Sequence, residues 1–322
     1  MQLSVLQILA LKHIRGCGNI GILKLQRFAT ERTKQPEIEL DNPESSDEQT
    51  SLCHLLHRYH QEFGIQTIRC TNDHLAEAFK KARQTLEQSS QRGIYAIGIN
   101  DELYPKNLKI STFISGRRGI PVVMWYKGNL SVLSRHKTAV IGSRHISETG
   151  YSRGENIGKN LASLGITVVS GLARGCDTSG HRGALKVGGA TVALLGHGLD
   201  SVYPPENAGL AQEIVSSGGL LMSEYPIGTA ISRRGLIERS CLQALLADDV
   251  VVVECGEKSG TFYAANGALS LGKKLYVLSY SERQGGERAG NTILSRKGAI
   301  WVNEDVDWRF LLREREQIQK RM

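Results

Sequence analysis

Between a β-branched run and a helical stretch the sequence reads Ser170-Gly-Leu-Ala-Arg-Gly-Cys-Asp-Thr-Ser-Gly-His181, and the residue types in this turn suit the capture of an anion. Gly171 and Gly175 let the backbone bend where a Cβ would clash. Asp177, Thr178 and Ser179 offer N-caps to a helix expected from His181 to Val187, so several first-turn amides should point out of the turn without partners. A helix start of that kind attracts phosphate. Arg174 inside the turn and Arg182 just after it add charge, and the guanidinium fork matches phosphate oxygens. Glycine-rich strand-to-helix turns also serve purely structural ends in any α/β fold, so this turn alone does not decide.

The turn has two companions. Gly142-Ser-Arg144 follows an apolar run that begins at Thr138, and Ser259-Gly-Thr261 precedes a helical run. No Gly-x-Gly-x-x-Gly stands after the first run, which disfavours ordinary NAD binding.

The elements that must position these turns are short. Thr138–Gly142, Thr167–Ser170, Thr191–Leu195, Leu220–Met222, Val250–Val253 and Lys274–Leu278 are near-continuous apolar strands of the kind found in a parallel sheet covered on both faces. Helices are expected near Tyr151–Leu164, Gly180–Val187, Asn207–Ser216, Ile237–Leu246 and Thr261–Leu271. The alternation implies an α/β, doubly wound, Rossmann-like domain with a mostly parallel sheet, covering 93–302. Ligands of such domains bind beyond the carboxyl ends of the strands, where the glycine turns fall.

Residues 1–92 read as a small helical N-terminal domain. Leu3, Leu6, Ile8, Leu9, Leu11 and Ile14 form an apolar stripe that ends in Arg15-Gly-Cys-Gly18. Ile14-x-Gly16-x-Gly18 followed by Leu23 and Phe28 looks like a helix-hairpin-helix, which offers amides to DNA phosphates and serves equally for packing or dimerisation. Glu37 to Thr50 is acidic and aperiodic and is expected to be a linker, followed by helices over Leu52–Phe63 and Leu75–Leu86. Residues 303–322 are expected to form a basic C-terminal helix.

With 322 residues, 40% of them hydrophobic, the chain is long enough for one large domain and a smaller one. It carries no run of about 20 apolar residues and no signal-like start, so a cytoplasmic protein without membrane contact is expected. Its six cysteines, Cys17, Cys53, Cys70, Cys176, Cys241 and Cys255, show no CxxC spacing, and neither a metal nor another cofactor is expected. The net charge is +8, and between Pro105 and Arg144 stand Lys106, Lys109, Arg117, Arg118, Lys127, Arg135, Lys137 and Arg144 without one Asp or Glu. Such a run favours a polyanion as partner, against the alternative of a merely solvated basic surface.

Taken in order, the motifs resemble one family. Ala139-Val-Ile-Gly-Ser-Arg144, the Ser170–Asp177 turn with His181 and Ala184-Leu185, Leu195-Gly-His-Gly-Leu-Asp200, Val202-Tyr-Pro-Pro-Glu-Asn207 and Ser223-Glu-Tyr-Pro226 are similar to those of the DprA/Smf, or DNA-processing protein A, family. Val253-Glu254, Ser259-Gly-Thr261, Gly272-Lys273 and Gly290-Asn-Thr-Ile-Leu294 continue the likeness, and Asn100–Pro105 and Pro121–Gly128 resemble the approach to its first strand. The resemblance implies a Rossmann-like (SLOG-type) domain that binds single-stranded DNA in a basic pocket. It implies a non-enzymatic homodimer that hands the strand to the RecA recombinase during DNA uptake. On that reading Gly142, Ser143, Arg144, Gly171, Arg174, Gly175, Asp177, Arg239, Ser259, Gly260 and Thr261 grip phosphate, while Tyr203 and Tyr225 are candidates for base stacking. His181 is expected to be hydrogen-bonded within its turn.

One stretch departs from the pattern. Where the family has Phe-Pro-x-Arg-Asn-Arg-Ile-Ile-Ala-Gly, this chain has Leu236-Ile-Glu-Arg-Ser-Cys-Leu-Gln-Ala-Leu245, so Ser240 and Cys241 replace two polar residues and Glu238 adds an acid. Losing a phosphate-binding cation lowers the salt slope of DNA binding by about one. With a basic segment expected at residues 303–322, the C-terminal winged helix frequent in the family is not expected in this chain. Two other functions follow from these departures and from the fold: a regulatory or antitoxin partner of a neighbouring toxin in a defence module, and a nucleotide-binding or phosphoribohydrolase-like protein. Against the last, Ser259-Gly-Thr261 lacks the glutamate of the Gly-Gly-x-Gly-Thr-x-x-Glu motif, with Glu254 either a substitute or a carboxylate that holds the loop.

Overall fold

The computed structural model describes residues 2–32, 48–63, 71–109, 113–114, 117–280, 288–303 and 305–313. Cys70, most of the expected linker (37–47) and residues 314–322 of the expected C-terminal helix lie outside them. The chain divides into two compact units, Met1–Tyr104 with Gly119–Trp125, and Pro105–Arg118 with Tyr126–Met322.

The first unit holds α1 (Val5–Lys12), α2 (Asn19–Arg32), α3 (Glu48–Phe63), α4 (Asn72–Ser90) and β1 (Tyr95–Gly98). A capping box starts α1: Ser4 Oγ accepts from the Gln7 amide at 3.2 Å and Gln7 Oε1 accepts from the Ser4 amide at 3.0 Å. Leu3, Ile8, Leu9 and Leu11 are buried, as the stripe requires. Residues 13–18 turn the chain into α2 with Gly16 at φ +86°. The last three residues of the expected linker, Glu48 to Thr50, are the first turn of α3, where an acid is favoured by the helix dipole. Phe28 stacks edge-on against Tyr59 at 5.3 Å and ties α2 to α3.

The second unit begins with α5 (Lys106–Lys109) and the short strands β2 (Phe113–Ile114) and β3 (Arg117–Arg118); β4 (Val123–Gly128) leads into it. Then come β5 (Lys137–Ile141), α6 (Glu148–Ser163), β6 (Thr167–Ser170), α7 (Cys176–Lys186), β7 (Thr191–Leu195), α8 (Ala208–Ser216) and β8 (Leu220–Ser223). The chain continues through α9 (Arg233–Leu246), β9 (Asp249–Val252), α10 (Thr261–Ser270), β10 (Leu275–Leu278), α11 (Ala289–Arg296) and β11 (Ile300–Val302). These strands stand in the order β8-β7-β6-β5-β9-β10-β11, every pair parallel. β5 to β10 are fully buried, which explains why their sequences are apolar without alternation.

The chain winds outward from β5 to β8, then crosses back to β9 and winds the other way, so the order reverses between β5 and β9. On one face α6 packs on α7, and α9 packs on α10. Near the C-terminus Trp308 and Leu311 are buried with Val140, Leu161 and Tyr276, and the Trp308 ring meets Tyr276 edge-on at 5.9 Å. Residues 309–313 form a helical turn. The basic run between Pro105 and Arg144 is not one surface. Lys137, buried at the amino end of β5, pairs with Asp248 at 3.2 Å, whereas Arg144 lies exposed beyond the carboxyl end.

Candidate functional site

An open cavity of about 1110 Å³ lies beyond the carboxyl ends of β5 and β9, at the reversal of strand order. This is where doubly wound sheets place ligands. Ile141 to His145 after β5, Ala173 and Asp177 of the β6–α7 turn, the amino-terminal half of α9 and residues 256–264 after β9 line it. Of the residues expected at the site, Gly142, Ser143, Arg144, Asp177, Arg239, Ser259, Gly260 and Thr261 border this cavity. Arg174 borders a recess of about 50 Å³ shared with Arg144, Tyr203 and Arg239. Gly171 and Gly175 border neither.

The β6–α7 turn is held from inside. α7 starts at Cys176, earlier than expected, so Asp177 lies within its first turn and does not cap it. Its Oδ2 accepts from the amides of Gly171 (3.2 Å) and Ala173 (3.3 Å) and from Arg239 Nη1 (3.1 Å). The expected phosphate grip by the Gly171 amide and by Asp177 is therefore corrected: the amide already serves the carboxylate, and the carboxylate serves the turn. A Cβ on Gly171 would stand 1.5 Å from Arg239 Nη1, so glycine is what lets the guanidinium lie under the turn. Arg239 is 5% exposed. Burial pulls its pKa down, and Asp177 opposes that pull. Leu172 takes a left-handed φ of 60°, rare for a side chain of its size, and Asn207 Nδ2 donates to its carbonyl at 2.8 Å. The Tyr-Pro-Pro-Glu-Asn motif thus buttresses the turn.

The loop after β5 is fixed against its neighbours. The Ser143 amide donates to the Glu254 carbonyl at 2.7 Å, and Ser143 Oγ accepts from the Gly256 amide at 3.3 Å. Gly175, at φ +72°, sits where a Cβ would be 2.4 Å from the Ser143 carbonyl. The Glu254 carboxylate, fully buried, accepts from Ser147 N (2.9 Å), Ser147 Oγ (2.6 Å) and Arg288 Nε (2.9 Å). It holds the loop and does not border the cavity. Arg144 projects from this loop, exposed, with no ion pair among the described residues.

Around the rim, Arg233 and Lys258 join Arg144, all three exposed, against one exposed acid, Glu257. Arg233 opens α9, whose first turn holds no acid. Two arginines at a helix start oppose the dipole's preference for anions in the chain and strengthen the positive potential offered to an external one. Arg233 and Lys258 give weak signals in the sequence: Lys258 directly precedes the Ser259-Gly-Thr261 turn, and Arg233 stands four residues before the helix expected from Ile237. Arg174 is paired on the surface with Glu206. Ser259 Oγ and Thr261 Oγ1 lie 2.7 Å apart, and Ser259 Oγ accepts from the Thr261 amide at 3.2 Å.

The divergent stretch of α9 splits between core and cavity. Ser240 borders the cavity, while Cys241 is fully buried. Glu238 is half-buried, binds the Tyr225 hydroxyl and pairs with Arg234 at 2.9 Å, so its charge is met before it reaches the cavity. Tyr225 is a packing residue here, its hydroxyl pKa raised by burial and by Glu238. Tyr203, 42% exposed, borders the cavity. His181 is not bonded within its turn. Its Nδ1 lies 2.7 Å from Thr191 Oγ1 of β7, and burial, with Arg239 nearby, pulls its pKa down to about 3.

A profile of the family described as DNA recombination-mediator protein A matches residues 95–310. Protein Smf of Escherichia coli (strain K12) is 31% identical over 244 residues, 76% of this chain and 63% of that protein. DNA processing protein DprA of Streptococcus pneumoniae is 34% identical over 183 residues, 57% of this chain and 62% of that protein. The chain thus matches less than two thirds of the length of these relatives. The X-ray structure of the S. pneumoniae protein superposes with a TM-score of 0.71 at 28% identity, covering 94% of this chain and 95% of that one. A DNA processing protein A from Helicobacter pylori, described for its single-stranded DNA binding mode, superposes with a TM-score of 0.58 at 25% identity over 69% of this chain and 96% of that one. The profile match over most of the chain makes this protein a member of the DNA recombination-mediator protein A family.

Proposed function

We propose that the second unit binds single-stranded DNA in its open cavity, with phosphates on Arg144, Arg233 and Lys258 and bases against Tyr203, Ile231 and Phe262. The observation that carries this reading is a cavity at the strand-order reversal with three exposed cations and one exposed acid on its rim. The single-stranded DNA binding described for the H. pylori relative supports it. Arg174 joins the contact when a phosphate displaces Glu206, at low cost because both side chains are about half exposed. The protein acts as a homodimer that carries the strand to a RecA-type recombinase. It acts by binding rather than turnover: Glu254, the carboxylate weighed as a substitute for the missing glutamate, is saturated by Ser147 and Arg288 and does not border the cavity.

Binding of single- and double-stranded oligonucleotides, titrated with salt, tests the reading. Tighter binding of single strands is expected. Arg144→Ala, Arg233→Ala and Lys258→Ala should each weaken binding and reduce the salt slope by about 0.7, the value per phosphate contact on a single strand. Absence of any preference for single strands at every salt concentration would overturn it.

A further inference from the structure

Beneath the cavity the polar atoms do not all pair with one another. Arg239 Nη1 donates to Gln243 Oε1 at 3.3 Å, and because a guanidinium only donates, the amide oxygen must be the atom that faces it. That fixes Gln243 Nε2 on the other side, where it has no partner among the described residues; Arg239 Nε has none either. His181 completes the group. Thr191 Oγ1 donates its one hydrogen to the Val168 carbonyl at 2.9 Å, so His181 Nδ1 must be the donor to Thr191. Its Nε2 is then a bare acceptor, buried and unpartnered. Two buried donors, Arg239 Nε and Gln243 Nε2, and one buried acceptor, His181 Nε2, are thus left without partners among the described residues. Isolated cases of this kind are few in folded proteins, and three together point to a group that supplies the missing bonds.

Arg239 and Gln243 both border the cavity, 5% and 2% exposed. Above them, Tyr203, Ile231, Leu236 and Phe262 supply flat or apolar surface to a ring.

We propose, on the reading that the cavity binds single-stranded DNA, that Gln243 and Arg239 read the edge of one nucleobase, preferring a ring carbonyl and so favouring thymine over adenine. A thymine carbonyl accepts from Gln243 Nε2 and Arg239 Nε, the two unpartnered donors on the cavity wall. Adenine turns an amino donor to the same donors. A base seated on this wall displaces water from it, so a mismatched edge is left unpaired rather than rescued by solvent.

Fluorescence anisotropy with oligo(dT) and oligo(dA) of one length, at one salt concentration, tests the proposal in wild type and Gln243→Leu. Self-stacking of the free strand is common to both proteins and cancels when their dT/dA affinity ratios are compared. The ratio is expected to fall about tenfold in Gln243→Leu, within the range for one good base-edge contact. Gln243→Glu keeps the shape and the Arg239 partner but replaces donors by acceptors, and it should lower the ratio as well. It decides the matter if the leucine variant does not fold. An unchanged ratio in the folded variants overturns the proposal and leaves the orphan atoms to buried water. Failure of wild type to bind either strand is a separate result, and it strikes the proposed function itself.

Discussion

Asp177 accepts three hydrogen bonds on one carboxylate oxygen, two from the amides of its own turn and one from a guanidinium 62 residues further along the chain. The sequence displays the carboxylate and the glycines but not the distant partner, and so a residue that organises the turn reads as one that meets the ligand. Removing it would leave Arg239 charged, buried and unpaired, and two amides unanswered. Asp177→Ala should therefore cost about 3–5 kcal/mol, the range for breaking a buried pair from one side. Urea unfolding at neutral pH measures this, and a loss well under 1 kcal/mol would mean that the pair does not hold the turn. Arg144 shows the opposite case. Its place on the cavity was legible because an exposed arginine after an apolar strand end needs no partner within the chain to be recognised.

Strands and helices differ in how clearly the sequence shows their ends. Thr167–Ser170 and Thr191–Leu195 agree residue for residue, because each is a fully buried β-rich run closed by small or polar residues. Helix starts were placed too late where a polar first turn precedes the apolar face: α6 begins at Glu148 behind the Ser147 cap, and α9 at Arg233 behind Ser232. The second error hid Arg233 from the site. Contacts between elements carry two predictions. Gly175 joins the turn after β6 to the loop after β5, and Gly175→Ala would place a side chain at φ +72° against the Ser143 carbonyl. A loss of more than about 1 kcal/mol is expected in thermal or urea unfolding, together with weaker DNA binding as the Arg144 loop shifts. An alanine variant of wild-type stability and affinity would refute the close approach. His181 ties α7 to β7 and is held neutral, its pKa down from 6.5 to about 3. Between those two values the unfolded chain binds a proton that the folded chain excludes. Stability therefore falls as pH drops from about 6.5 toward 3, by at most about 1.4 kcal/mol per pH unit, and His181 adds no slope above that window. His181→Gln should show a shallower acid loss than wild type in urea unfolding across pH 4–7; parallel curves would remove His181 as the cause.

At the scale of the molecule, the decisive question about the charge of +8 is how much of it meets DNA. The eight basic residues from Lys106 to Arg144 equal that net charge, and as a sequence they look like one interface. In the fold they separate: Lys137 is spent on Asp248 at the amino end of β5, while Arg144 stands beyond its carboxyl end beside Arg233 and Lys258, which come from other parts of the chain. Linear clustering of charge is thus a poor guide here, because a parallel strand sends the two ends of a basic run to opposite edges of the sheet. The strand-order reversal is the better guide, since it gathers the ends of β5 and β9 whatever the spacing of their residues. The two views give different numbers. The three rim cations together with Arg174 predict that log K falls against log salt with a slope of about −3, whereas engagement of all eight residues of the run predicts about −6. Titration of oligonucleotide binding with a monovalent salt separates the two, and a slope near −6 would return the interface to the basic run and away from the cavity.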